Sequence, residues 1–186
     1  MRKLLITMMI CFMTLLCACA SQKTQITGTK SDMSGYEGFT DTEHVFYDMT
    51  VAGMLEYMDA KESFAVYFGF DNCPWCLDAM PVLNEAAKEY EAEVGYIDTR
   101  KNPAWQKNVD IDDYDKLVER IGNYFTYDND GNRHLYTPAV VFIKDGEVVL
   151  YHEGTVESHN ARERSMTDEE IEELKEIYRE GFEAIK

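Results

Sequence analysis

Two cysteines three positions apart, Cys73 and Cys76, are the residues of this chain best suited to chemistry. A Cys-x-x-Cys pair can cycle between dithiol and disulfide, supply half of a zinc site, or form an inert bridge. Zinc needs four ligands. The other three cysteines, Cys11, Cys17 and Cys19, all lie near the amino terminus, and His152 and His159 stand seven apart in a loop-like stretch. Redox chemistry is therefore the favoured reading, with zinc and an inert bridge as alternatives. The pair directly follows Phe64 to Phe70, a continuous apolar run suited to a strand buried on both faces. Leu77, Met80, Leu83, Ala87 and Tyr90 then keep a helical period. Cys73 falls at the expected N-cap of that helix and Pro74 at its first position, where no N–H is missed. Unpaired backbone N–H groups and the helix dipole favour the Cys73 thiolate. Cys76, one turn deeper, can then resolve the mixed disulfide that Cys73 forms with a partner.

The remaining elements read outward from this point. Val51 to Met58 has one apolar helical face, and Val94 to Asp98 is a short strand. Tyr114 to Phe125 reads as a helix, with acidic residues, among them Asp110, Asp112 and Asp113, at its amino end. Ala139–Ile143 and Val148–Tyr151 are strands joined by Lys144-Asp145-Gly146-Glu147, a hairpin signal. Thr167-Asp168-Glu169-Glu170 is a capping box that starts a final helix. Pro81 is expected to kink the helix that Cys73 opens. The fold class is α/β: parallel βαβ units followed by an antiparallel hairpin give a mixed central sheet with helices on both faces.

The first residues read as an export signal: Arg2 and Lys3, then an apolar run from Leu4 to Leu16, too short for a comfortable transmembrane helix. Leu16-Cys17-Ala18-Cys19 resembles a bacterial lipobox and selects Cys19 for lipidation, the other reading being plain secretion with cleavage near Ala20. Residues 1–18 are thus expected to be a signal peptide. Residues 19–43, poor in apolar side chains, are expected to be a lipidated cysteine and flexible tether, and residues 44–186 a single domain. Lipid on Cys19 would anchor the protein at the cell membrane, outside the cytoplasm. Once the signal has left, only Cys73 and Cys76 remain as thiols. Loss of Arg2 and Lys3 takes the net charge from −17 to −19, which repels nucleic acid and anionic surfaces.

From residue 44 onward the sequence resembles the thioredoxin superfamily. The apolar strand before the Cys-x-x-Cys pair carries the resemblance, together with Pro81 five residues after Cys76 and Asp98 near the end of the next strand. Thr137-Pro138 before Ala139-Val140-Val141-Phe142 and the Lys144-Asp145-Gly146-Glu147 turn complete it. Within the superfamily it looks like small thioredoxin-like lipoproteins of Gram-positive bacteria, including bacteriocin-transport accessory proteins. The resemblance implies a thioredoxin fold and a redox-active Cys73–Cys76 disulfide with no other cofactor and no metal. It also implies a cis Thr137–Pro138 bond that brings Pro138 against the cysteines, with the Thr137 backbone pairing to a substrate strand; a trans proline at a strand start is the alternative. Pro74 and Trp75 would stiffen and position the site, although Trp75 is as well read as packing against a neighbouring loop. The implied activity is thiol–disulfide exchange with exported proteins and a further redox partner, by a monomer. A non-catalytic module that holds an exporter or a peptide is the second reading.

Departures from the superfamily pattern are specific. Tyr67 stands where thioredoxins bury an Asp, and Val94 where they place that acid's Lys partner. Pro-Trp between the cysteines resembles glutaredoxins and periplasmic oxidases and isomerases rather than thioredoxin reductants, and no His lies there to stabilise the thiolate. Asp71 and Asp78 are acidic neighbours that oppose the helix dipole. A mild redox potential is expected. Asp128-Asn129-Asp130-Gly131-Asn132 reads as a turn rather than a calcium loop. His44, His134, His152 and His159 are expected in loops or at the surface. No Ser-His-Asp order, phosphate loop or dinucleotide fingerprint appears.

Overall fold

In the computed structural model of the chain, residues 25–100 and 111–186 are described. The signal peptide and Cys19 lie outside them. Strand β1 (Phe46–Asp48) leads into helix α1 (Val51–Asp59), capped by Thr50, whose side chain accepts from the Gly53 N–H. Strand β2 (Phe64–Gly69) follows, then helix α2 (Pro74–Glu89) and strand β3 (Val94–Asp98). Helix α3 (Tyr114–Ile121) runs into a 3₁₀ turn (Gly122–Tyr124) and a small hairpin of β4 (Thr126–Tyr127) and β5 (Arg133–His134). Strands β6 (Ala139–Lys144) and β7 (Glu147–Glu153) and helix α4 (Asp168–Ile185) end the chain.

Five strands form one sheet in the order β1-β3-β2-β6-β7. β2 is parallel to β3 and antiparallel to β6, so the sheet is mixed. All six residues of β2 are buried, as its unbroken apolar run requires, and they alternate between two cores. Ala65 and Tyr67 join Val140 and Phe142 of β6 beneath α2 and α4. Phe64, Val66 and Phe68 join Val141 and Ile143 beneath α1 and α3. Helices therefore cover both faces. At the β6–β7 turn, Asp145 (φ 52°) and Gly146 (φ 81°) both take left-handed conformations, which is the demand that an Asp-Gly hairpin meets. The Asp128 turn is also as expected: its carboxylate accepts from the N–H groups of Asp130 (3.0 Å) and Asn132 (2.8 Å). Helix α2 is continuous through Pro81.

Two parts of the fold differ from the sequence reading. β1 pairs in parallel with β3 from Phe46↔Val94 to Asp48↔Tyr96, at a sheet edge where the reading has no strand. Three residues are too few to show a period of two. The stretch read as tether is also packed on the domain from residue 25 onward. Ile26, Met33 and Tyr36 are buried in it. Ser31 N–H donates to Phe46 O (3.1 Å) and Asp48 N–H to Thr29 O (2.9 Å), and these bonds close the free edge of β1. The Asp41 carboxylate accepts from Asn84 of α2 (2.7 Å) and pairs with Lys88. Isolated apolar residues spaced seven and three apart among polar ones carry no period, yet each fills a pocket that the sheet edge leaves open.

Candidate functional site

Strand β2 ends at Gly69, and Phe70, Asp71 and Asn72 turn the chain into α2. Cys73 is the N-cap, in an extended conformation (φ −85°, ψ 116°), and its Sγ accepts from the Cys76 N–H at 3.3 Å. Pro74 occupies the first helical position. The sulfur thus does the work of a capping oxygen, satisfying one of the donors that a helix amino end leaves unpaired. Both thiols are free; Cys73 is 5% exposed and Cys76 not at all.

The two sulfurs are electrostatically unlike. Hydrogen bonds from Cys76, with smaller help from Thr137 and the Trp75 backbone, hold the Cys73 thiol below the ordinary value despite its burial. Burial and the neighbouring Cys73 push the Cys76 thiol well up. A nucleophile that ionises easily and a partner that stays protonated until called on are what two-step exchange requires. Of the two site thiols, Cys73 alone should consequently be alkylated in the reduced protein, with a rate whose half-maximum lies below the ~8.5 of a free cysteine. The rate falls as pH drops through the Cys73 pKa because only the thiolate attacks. A profile of iodoacetamide labelling read by mass spectrometry checks this, and a midpoint at or above 8.5 refutes it.

The Thr137–Pro138 peptide bond is cis. The loop before β6 places the Thr137 carbonyl oxygen 3.7 Å and its hydroxyl 4.0 Å from Cys73 Sγ. Pro138 is buried, and its carbonyl accepts from the Gly154 N–H at 2.7 Å, which ties this loop to the end of β7. A cleft of about 510 Å³ opens over Cys73, walled by Pro74, Trp75, Thr137, Tyr136, Arg100 and Arg162 among others. Trp75 both lines the cleft and packs against the loop after β7, where the Arg162 guanidinium lies 5.4 Å from its ring centre. Of the sequence-derived site residues of the domain, Cys73, Pro74, Trp75, Cys76 and Thr137 are thus gathered around one sulfur, with Pro138 following Thr137 across the cis bond.

Beneath the cysteines, Tyr67 is fully buried and directs its hydroxyl to the Cys76 carbonyl at 3.5 Å. Its ring stacks on Tyr96 (5.9 Å, 21°), and Tyr36 from the amino-terminal segment donates to the Tyr96 hydroxyl at 3.3 Å. A patch of phenols thus occupies the floor. His44 and His159 lie in loops, as expected, but are buried there, whereas His134 and His152 stand half-buried in strands β5 and β7 rather than in loops or at the surface. His159 faces Asp78, two residues past Cys76, at 3.3 Å, and its other nitrogen meets Thr155 Oγ1 at 2.8 Å. Burial raises the Asp78 carboxyl, so this neighbour of the cysteines opposes thiolate less than a free carboxylate would. Sequence reasoning also missed Arg100 and Arg162. Only the position of Arg100, just past the carboxyl end of β3 where open α/β sheets gather their sites, could have flagged it.

No protein-family model matches the chain, and no curated protein does. Solved structures similar to it include oxidised thioredoxin O2 of Arabidopsis thaliana, at 13% identity and TM-score 0.41 over 67% of this chain and 91% of that one. Thioredoxin of Trypanosoma brucei brucei gives 13% and 0.44 over 76% and 96%. Thioredoxin of Fasciola hepatica gives 21% and 0.36 over 56% and 82%. Likenesses this low decide nothing about activity. The mixed sheet in the order β1-β3-β2-β6-β7, helices on both faces and a helix opening at the end of β2 are the features that make this a thioredoxin-fold chain.

Proposed function

We propose that the protein is a membrane-tethered, extracytoplasmic thiol–disulfide oxidoreductase that exchanges disulfides with exported proteins through Cys73 and Cys76. One observation carries the reading: Cys73 Sγ caps a helix under an open cleft while Cys76, one turn deeper, is sealed off. In the reductive direction the Cys73 thiolate attacks one sulfur of a partner disulfide. A Cys73–partner bond forms, and the partner's other sulfur leaves with the electron pair and takes a proton from water. Cys76 then loses its proton and attacks Cys73 Sγ, so the Cys73–Cys76 bond forms and the partner leaves reduced. An unidentified dithiol or disulfide partner resets the pair, and the oxidative direction runs the same steps backwards. The Leu16-Cys17-Ala18-Cys19 motif supports the location, with lipid on Cys19 as the anchor.

Equilibration of the protein with glutathione redox buffers tests the proposal. Cys73 and Cys76 are expected to interconvert with a single two-electron midpoint between about −270 and about −120 mV, the values of a reducing thioredoxin and a strong oxidase. The site lowers one thiol without placing a cation or an imidazole between the cysteines. A midpoint close to −120 mV overturns the mild potential. Failure to exchange with glutathione at all overturns the function.

A further inference from the structure

The cleft over Cys73 carries two guanidinium groups on a chain of net charge −17. Arg100, just past β3, lies over the Phe70 ring at 4.2 Å. Its Nη1 donates to Asn72 Oδ1 at 2.8 Å, and its buried Nε has no hydrogen-bond partner among the described residues. Arg162, in the loop after β7, lies over the Trp75 ring. The two aromatic rings flank Cys73 in sequence, so each side of the sulfur has a cation stacked on its neighbouring ring. Among the described residues neither arginine forms an ion pair with a carboxylate, whereas Arg120, Arg164 and Arg179 each do. One carboxylate, Glu153, lines the same cleft, and it already accepts from Tyr151 Oη (2.8 Å) and Thr126 Oγ1 (3.1 Å). A guanidinium seated over a ring still has N–H donors for a planar acceptor, and its fork suits carboxylates.

Resting on the oxidoreductase reading, we infer that Arg100 and Arg162 select as substrate an extended polypeptide segment whose reacting cysteine is flanked by Asp or Glu. The carboxylates dock on the two guanidinium groups and bring the partner sulfur to Cys73 Sγ. An overall acidic protein would otherwise repel such a segment, so the two arginines turn a general repulsion into a local preference.

The test uses the Cys76→Ala protein and two synthetic peptide disulfides, symmetric dimers of a short peptide with its single cysteine between two Glu or between two Lys. Cys73 thiolate attacks one sulfur of the dimer, the protein–peptide bond forms, and the second peptide leaves as thiolate. Mass spectrometry follows the rate at low salt. The Glu peptide is expected to react roughly tenfold faster than the Lys peptide, as two partly desolvated charge contacts would give. The ratio should fall to about one in Arg100→Gln/Arg162→Gln, invert in Arg100→Glu/Arg162→Glu, and survive in Arg100→Lys/Arg162→Lys. Because each ratio is taken within one protein, loss of folded material does not move it. Equal rates in the unmodified cleft, or a ratio unchanged by the Gln pair, overturn the selectivity while leaving the exchange chemistry standing. If neither peptide forms a disulfide with Cys73, the oxidoreductase reading itself fails.

Discussion

Replacing Cys76 by Ala is expected to leave the protein covalently joined to its partners through Cys73, and replacing Cys73 by Ser to abolish exchange altogether. The asymmetry follows from burial and from the helix. Cys73 is the sulfur that meets the cleft and receives the Cys76 N–H, a bond that the alanine variant keeps because it comes from the backbone. Attack therefore still occurs in Cys76→Ala, and only the resolving step is lost. In Cys73→Ser the remaining thiol is sealed and held protonated, so the first step has no nucleophile. Turnover should drop to background in both variants, yet only one should accumulate species of increased mass that a reductant releases. Non-reducing electrophoresis of membrane extracts separates the two. Partner capture that persists in Cys73→Ser, with no reducible species in Cys76→Ala, would instead identify a binding module that does not use its thiols.

The second large effect concerns the floor. Tyr67→Ala should destabilise the domain by about 3–5 kcal/mol, the range for deleting a large buried ring. Tyr67 is wholly enclosed, stacks on Tyr96 and touches Phe46 at a ring separation of 5.8 Å. Its removal leaves a void below Cys76. Tyr67→Phe keeps the ring and loses only a long bond to a carbonyl, so about 1 kcal/mol or less is expected. Denaturant melts of the two reduced variants measure the difference. Equal losses would show that the hydroxyl, rather than the ring, holds the floor.

How far the sequence reaches can be seen at this same position. Tyr67 is visible as a departure from the superfamily, because its spacing from Cys73 is local. Its surroundings are not visible, since Tyr36 and Tyr96 arrive from 31 residues before and 29 residues after it. The same distinction holds elsewhere. β2, α2, the Asp-Gly hairpin and the capping box at Thr167 are each written in a few consecutive residues, where period, cap and turn chemistry act. The cleft is assembled from four loops, and nothing at Arg100 or Arg162 in the sequence says that a ring waits beneath them. β1 illustrates a third case: its pairing with β3 depends on an edge that exists only after the sheet has formed. Chemistry confined to one helix start was therefore legible, and the residues that choose its substrate were not.

The packing of the segment from residue 25 onward against the domain limits how far the domain could travel from a lipid anchor at Cys19. A leash running from Cys19 to residue 43 would be roughly 85 Å long when pulled straight, at about 3.6 Å per residue. With Ile26 already docked in the domain, only seven Cα steps separate it from Cys19, at most about 25 Å. A lipid on Cys19 would then keep the whole domain hugging the bilayer, able to service polypeptides as they emerge at the membrane and unable to sweep the cell wall beyond.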